Sequence, residues 1–166
     1  MELNSPEISS VLTTEDINTV ASLAREIWTK HYTPIIGSEQ VAYMLDKFQS
    51  PSAITKQIAD GYYYFVIAQD EPIGYLSIKE EGDTLFISKI YVSADSRGKG
   101  YGNRLMRFAI KQANQFGLKI LRLTVNKYNT KSIAAYEKMG FSNTIEVVFD
   151  IGNGYIMDDY EMMKTI

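Results

Sequence analysis

Residues 87–110 read ISKIYVSADSRGKGYGNRLMRFAI, and the fold turns on how they are parsed. The stretch opens as a strand, passes through a turn dense in glycine and positive charge, and continues as an amphipathic helix from Tyr101 to Phe116. Leu105, Phe108, Ala109 and Ala113 give that helix its apolar face. The start of a helix leaves about four backbone N–H groups without intrahelical partners. The helix dipole adds roughly half a positive charge there, so a Gly-rich turn opening a helix is an anion site. Gly98, Gly100 and Gly102 let a ligand approach the backbone, and Arg97 and Lys99 add charge beside it. Two common phosphate loops fit poorly. A P-loop needs Lys-Ser or Lys-Thr after its last glycine, and here Asn103 follows Gly102. A dinucleotide fingerprint needs a parallel βαβ unit, and the preceding strands do not form one.

Working outward, residues 62–92 are rich in Tyr, Phe, Val and Ile, with turn residues at 70–72 and 82–83. They predict three strands in an antiparallel meander. On the other side, GLKILRLTVN (117–126) predicts a buried strand and NTKSIAAYEKMG (129–140) a helix. Asn129 is placed as a cap and Gly140 as a stop. The remaining residues close as a hairpin about Gly152–Gly154. Before the meander, a strand is expected over Ile8–Thr13, then helices over Glu15–Lys30, Ser38–Phe48 and Pro51–Asp60, the first broken by TPIIG. Interleaved strands and helices in one unit define a mixed α/β (α+β) class.

Composition narrows the function. The chain has 166 residues, a single-domain length, with 45% hydrophobic residues and a net charge of -3. This balance excludes a general nucleic-acid binder. There is no cysteine, which removes thiolate nucleophiles and Cys-ligated metals. The first ten residues lack the basic and apolar regions of a leader, and no apolar run is long enough to span a bilayer. The expectation is a cytoplasmic protein without metal.

The Arg97-x-x-Gly100-x-Gly102 turn, paired with VNKYNTKSIAAYEKMGF (125–141), resembles the GNAT superfamily of acetyl-CoA-dependent N-acetyltransferases. The resemblance covers most of the chain and implies a single domain over residues 1–166. It implies a mixed, mostly antiparallel seven-stranded sheet flanked by helices, with acetyl-CoA as co-substrate. The backbone amides of Arg97, Gly98, Lys99, Gly100, Tyr101 and Gly102 would hold the pyrophosphate. The strand before the turn would part from the LRLTVN strand, leaving Ile90, Tyr91 and Val92 to pair with the pantetheine arm. The Val92 amide would face the thioester oxygen, where charge develops. Asn129 and Ser132 would contact pantetheine or phosphate, although Asn129 serves equally well as a plain helix cap. Tyr136 matches the general acid that protonates the leaving thiolate. WTKHYTPIIGSEQ (28–40) and DIGNGYIMDDYEMMK (150–164) also resemble the PaiA-type branch, associated with spermidine and spermine acetylation.

The acceptor side carries weaker signals. The resemblance implies that the helices after the first strand form one wall, including His31, Tyr32, Glu39, Tyr43 and Asp46. A glutamate that serves some members as base is replaced by Phe86. Water, His31, Glu39 and Asp158 remain as candidate bases. With no cysteine to carry an acetyl group, transfer is expected to be direct, to a small primary amine. A protein-directed acetyltransferase and a non-catalytic acyl-CoA-binding module stay open as alternatives, as does a homodimer.

Overall fold

The structure, a computed structural model, describes residues 5–166. Residues 1–4, part of the stretch read as lacking a leader, lie outside it. The chain runs β1 (Glu7–Ser10), α1 (Thr14–Ile36), α2 (Ser38–Gln49), α3 (Pro51–Ala59), β2 (Tyr63–Gln69), β3 (Glu71–Glu81) and β4 (Thr84–Val92). A single 3-10 turn follows at Ala94–Ser96. Then come α4 (Tyr101–Gln115), β5 (Ile120–Asn126), α5 (Thr130–Lys138), β6 (Ser142–Gly152) and β7 (Tyr155–Thr165). The strands form one seven-stranded sheet in the order β1-β2-β3-β4-β5-β7-β6. Every pairing is antiparallel except β4 with β5.

Strand alternation distributes the core over both faces of the sheet. Phe65, Ile67, Leu76 and Ile78 point to the face covered by α4, with Leu105, Met106, Ala109 and Ala113. Tyr64, Val66 and Tyr75 point to the other face, against Val20, Ile27 and Trp28 of α1 and Met44 of α2. The β6–β7 loop is Asn153-Gly154, both residues at positive φ (55° and 78°), as a tight type I′ hairpin requires.

Two boundaries differ from the sequence reading. β1 stops at Ser10 because Thr13 is spent on capping α1. Its Oγ1 accepts the Asp16 N–H at 3.1 Å, and the Asp16 carboxylate accepts the Thr13 N–H in return. α1 does not break at TPIIG but continues through Pro34 to Ile36. Pro34 forfeits one helical bond. The continued helix buries part of Tyr32 and Ile36 against the second core, and Gly37, at φ 86°, then ends it. No described helix is long and apolar enough to cross a membrane.

Candidate active site

β4 and β5 are the hinge of the site. They pair in parallel only from Thr84–Phe86 against Ile120–Arg122, and beyond that they part. On its other edge β4 stays paired to β3 up to Gly74↔Val92, with a bulge at Ser88. The Ser93 N–H donates to the Ile73 carbonyl at 2.8 Å. Ladder bonds alternate along an antiparallel pair. Tyr91 and Lys89 therefore spend their backbone groups on β3, while those of Ile90 and Val92 face the gap. Gly74 makes this tight pairing possible: a Cβ there would sit 2.3 Å from the Tyr91 carbonyl oxygen.

The gap is a cleft of about 340 Å³. Ile90, Tyr91 and Val92 line one side and Leu123 and Val125 the other. Arg97, Asn129, Ser132 and Tyr136 complete it, together with His31 and Tyr32. From Arg97 the chain enters the Gly-rich turn, where Gly98 (φ 78°) and Gly100 (φ 84°) adopt left-handed backbone. Among the described residues no side chain caps α4, and the first amide bonded into it is Arg104, at 3.1 Å from the Gly100 carbonyl. Gly98, Lys99 and Gly100 are exposed, and a Cβ at Gly98, Gly100 or Gly102 would meet nothing within 4 Å. The Arg97 Nε donates to the Val92 carbonyl at 3.2 Å, so the charge is tied to the strand end. Tyr101 is turned inward, its hydroxyl donating to Gln69 Oε1 at 3.0 Å.

Asn129 stands at the cap position of α5, but its side chain makes no capping bond. It is buried and lines the cleft with His31 and Tyr32. His31 is held below its ordinary value, first by burial and then by the Arg97 charge, with Asn129 opposing and Lys131 adding to the fall. Burial pushes the Tyr136 hydroxyl well above the usual phenol value, and Tyr32 adds to the rise. Tyr136 therefore stays protonated at neutral pH. Its ring packs edge-on against Phe141 at 6.0 Å.

A second cavity, about 740 Å³, opens on the α1–α3 side of the sheet. Tyr32, Ser88, Tyr91, Thr124 and Val125 line both spaces, so the two meet where β4 and β5 separate. Tyr32 and Tyr91 join there, hydroxyl to hydroxyl at 3.0 Å, with Trp28 edge-on to both rings.

Of the residues expected on the acceptor wall, Tyr32 lines this cavity. His31 lines only the smaller cleft, and Glu39 is exposed on the first turn of α2 and lines neither. It is the next residue, Gln40, that reaches the cavity, its Nε2 donating to the Ile156 carbonyl at 2.9 Å. Tyr43 is spent on the Ile151 carbonyl at 2.7 Å, and Asp46 is exposed. Asp158 is paired with Lys127 at 2.8 Å, and it is Asp159 that lines the cavity, buried at 3% exposure.

Sequence reasoning missed Lys89. It lies in the cavity wall, its Nζ donating to the Ser88 carbonyl at 3.2 Å and standing 5.8 Å from the Trp28 ring centre. Arg122 was missed as well. It is neutralised by Glu81 and by Glu161, at 3.4 Å from the latter, and stacks on Phe86, the residue at the expected base position.

An open α/β sheet that parts between its fourth and fifth strands, beside a glycine-rich helix start, defines the class. The acetyltransferase (GNAT) family model matches residues 22–141, and the chain belongs to that family. It is an N-acetyltransferase. It is similar to the spermidine N(1)-acetyltransferase of Thermoplasma acidophilum, 24% identical over 153 residues, covering 89% of this chain and 92% of the relative. It is 33% identical over 91 residues to the peptidyl-lysine N-acetyltransferase YjaB of Salmonella typhimurium. That match spans 54% of this chain and 57% of the relative. Among solved structures, the PaiA N-acetyltransferase of Thermoplasma acidophilum in complex with coenzyme A superposes with a TM-score of 0.82. It is 23% identical and covers 98% of this chain and 100% of that one.

Proposed function

We propose that this chain transfers an acetyl group from acetyl-CoA to the amine of a small molecule, by direct attack with both substrates bound. The observation that carries the reading is the junction of the two cavities at the β4–β5 split, one shaped for the donor and one for the acceptor. The donor cleft fits coenzyme A on three counts. The backbone edge of Ile90 and the Val92 N–H, turned away from β3, would pair with the amides of pantetheine. The uncapped α4 start, with left-handed Gly98 and Gly100, presents amides to a pyrophosphate. Arg97 and Lys131 line the same cleft and complement phosphate charge. Bound there, acetyl-CoA supplies an acetyl group activated as a thioester.

The chain's own residues do the rest. The Val92 amide is placed to donate to the thioester oxygen as charge builds on it. Tyr136, kept protonated by burial, is the acid for the departing sulfur. The amine reaches the same point from the larger cavity, past Tyr32, Ser88 and Thr124. The similarity to a spermidine acetyltransferase makes a polyamine the first acceptor to try. Incubation with acetyl-CoA and a panel of small amines, with free thiol followed, tests the reading. Amine-dependent thiol release that collapses in Tyr136→Phe is expected. Acetylation of peptides with no turnover of any small amine would overturn it.

A further inference from the structure

A buried carboxylate and a half-buried ammonium line the larger cavity without touching. Lys89 comes from β4 and Asp159 from β7. Each feels the other's charge, yet they do not meet as an ion pair, and among the described residues Lys89 hydrogen-bonds to the carbonyl and hydroxyl of Ser88. Opposite charges taken out of water that stay apart forgo the attraction that would offset their desolvation. From this split pair we infer that the acceptor is a zwitterion. It is an amine that carries a carboxylate or comparable anionic group close by, its ammonium at Asp159 and its anion at Lys89. This deepens the small-amine reading and rests on it.

Three observations support the inference. First, the pair sits beside the junction: Ser88, which accepts from Lys89, lines both cavities. Thr124 of β5, which lines the larger cavity with Asp159, does the same. Second, the cavity is not acidic. With Arg122 neutralised by Glu81 and Glu161, its lining charges are Lys47, Lys56 and Lys89 against Asp60, Asp150 and Asp159. A polycation would find as many lysines as carboxylates there. Third, both groups are held away from their ordinary state in the way that a missing partner would correct. Burial lowers Lys89 to about 8, with Asp159 opposing. Burial and then Asp158 raise Asp159 to about 6, with Lys89 and Thr124 opposing. An ammonium beside Asp159 and a carboxylate beside Lys89 would restore both charges.

Asp159 then acts as the base. Its carboxylate takes one proton from the ammonium, and the freed lone pair forms the new N–C bond as the thioester C–S bond breaks. Tyr136 protonates the sulfur, and the second proton leaving nitrogen returns through water to Tyr136. The proton on Asp159 passes to solvent, so amide, thiol and one proton are released.

The test compares a primary alkylamine, the amino acid of matched chain length, and spermidine as acceptors. In the wild-type enzyme kcat/KM should favour the amino acid over the plain amine by about tenfold or more, the range of one charge-assisted contact. Lys89→Met should bring that ratio to within about twofold, and Lys89→Arg should restore part of it. Unchanged circular dichroism would show the fold intact. Equal use of the amine and the amino acid by wild type, preference for spermidine, or an unchanged ratio in Lys89→Met would overturn the zwitterion. Absence of thiol release with all three acceptors would instead overturn the small-amine reading beneath it.

Discussion

The two halves of the site are built in different ways. The proposed donor cleft is mostly backbone: a strand edge at Ile90 and Val92 turned away from β3, and a left-handed turn at Gly98 and Gly100 leading into α4. The proposed acceptor cavity is mostly side chain, drawn from α1, α2, α3, β4, β5, β6 and β7. Backbone recognition needs few residue types in a fixed local order. Side-chain recognition needs only that the fold bring single residues together. The first can be kept while the second is changed position by position, which lets one donor serve many acceptors.

Breaking the reaction where the halves meet should cost the most. Tyr136→Phe removes the proposed proton donor and leaves the ring packed on Phe141. A drop in kcat of roughly 10²–10⁴ is expected, with little change in either KM. Next, a change confined to the donor half should be felt by the donor alone. Gly100→Ala places a Cβ on left-handed backbone at φ 84°, which costs about 1–2 kcal/mol and is relieved by reshaping the turn. KM for acetyl-CoA should rise about tenfold while the acceptor KM holds. Equal rises in both would mean that the halves are not separable.

That division also explains what the sequence made visible. The Gly-rich turn, the parting strand and Tyr136 lie in two contiguous stretches, so order along the chain was enough to place them. Lys89 lies inside the same stretch, yet strand alternation alone points it the wrong way. In a regular strand it would share a face with Leu85 and Ile87, which point into the α4 core. The bulge at Ser88 shifts the alternation by one. Ile90 and Val92 then take over the core face, and Lys89 turns with Tyr91 toward the cavity. No single residue announces that shift. Glu39 and Gln40 illustrate the same limit on a helix, where one position, a rotation of about 100°, separates solvent from the cavity wall.

Asp159→Asn should change stability as well as activity. Asp159 is raised from an ordinary 3.8 to about 6, so the folded state holds its proton more tightly than the unfolded state. Stability is therefore lost as pH rises from about 4 to about 6, and the penalty is complete above that. The asparagine removes it, while leaving Lys89 without its counter-charge. A net gain on the order of 1 kcal/mol is expected at pH 8, with little difference at pH 3, read from urea unfolding at both. Activity should fall in the same variant, since the base is gone. Stability gained with activity retained would show Asp159 to be a structural acid and would break the acceptor half as drawn.

The smallest effect is expected at Glu39→Gln. Glu39 is exposed in the first turn of α2, where its charge suits the positive end of the helix dipole. Losing that charge should cost about 0.3–1 kcal/mol of stability. It should leave kcat/KM for the acceptor within about twofold, because the carboxylate lines neither cavity. Gln40→Ala provides the contrast one residue on. It removes the bond from α2 to the Ile156 carbonyl on β7 and enlarges the cavity, so the acceptor KM should move while the acetyl-CoA KM does not. A larger change from Glu39 than from Gln40 would place the acceptor's path along the outside of α2 rather than through the cavity beneath it.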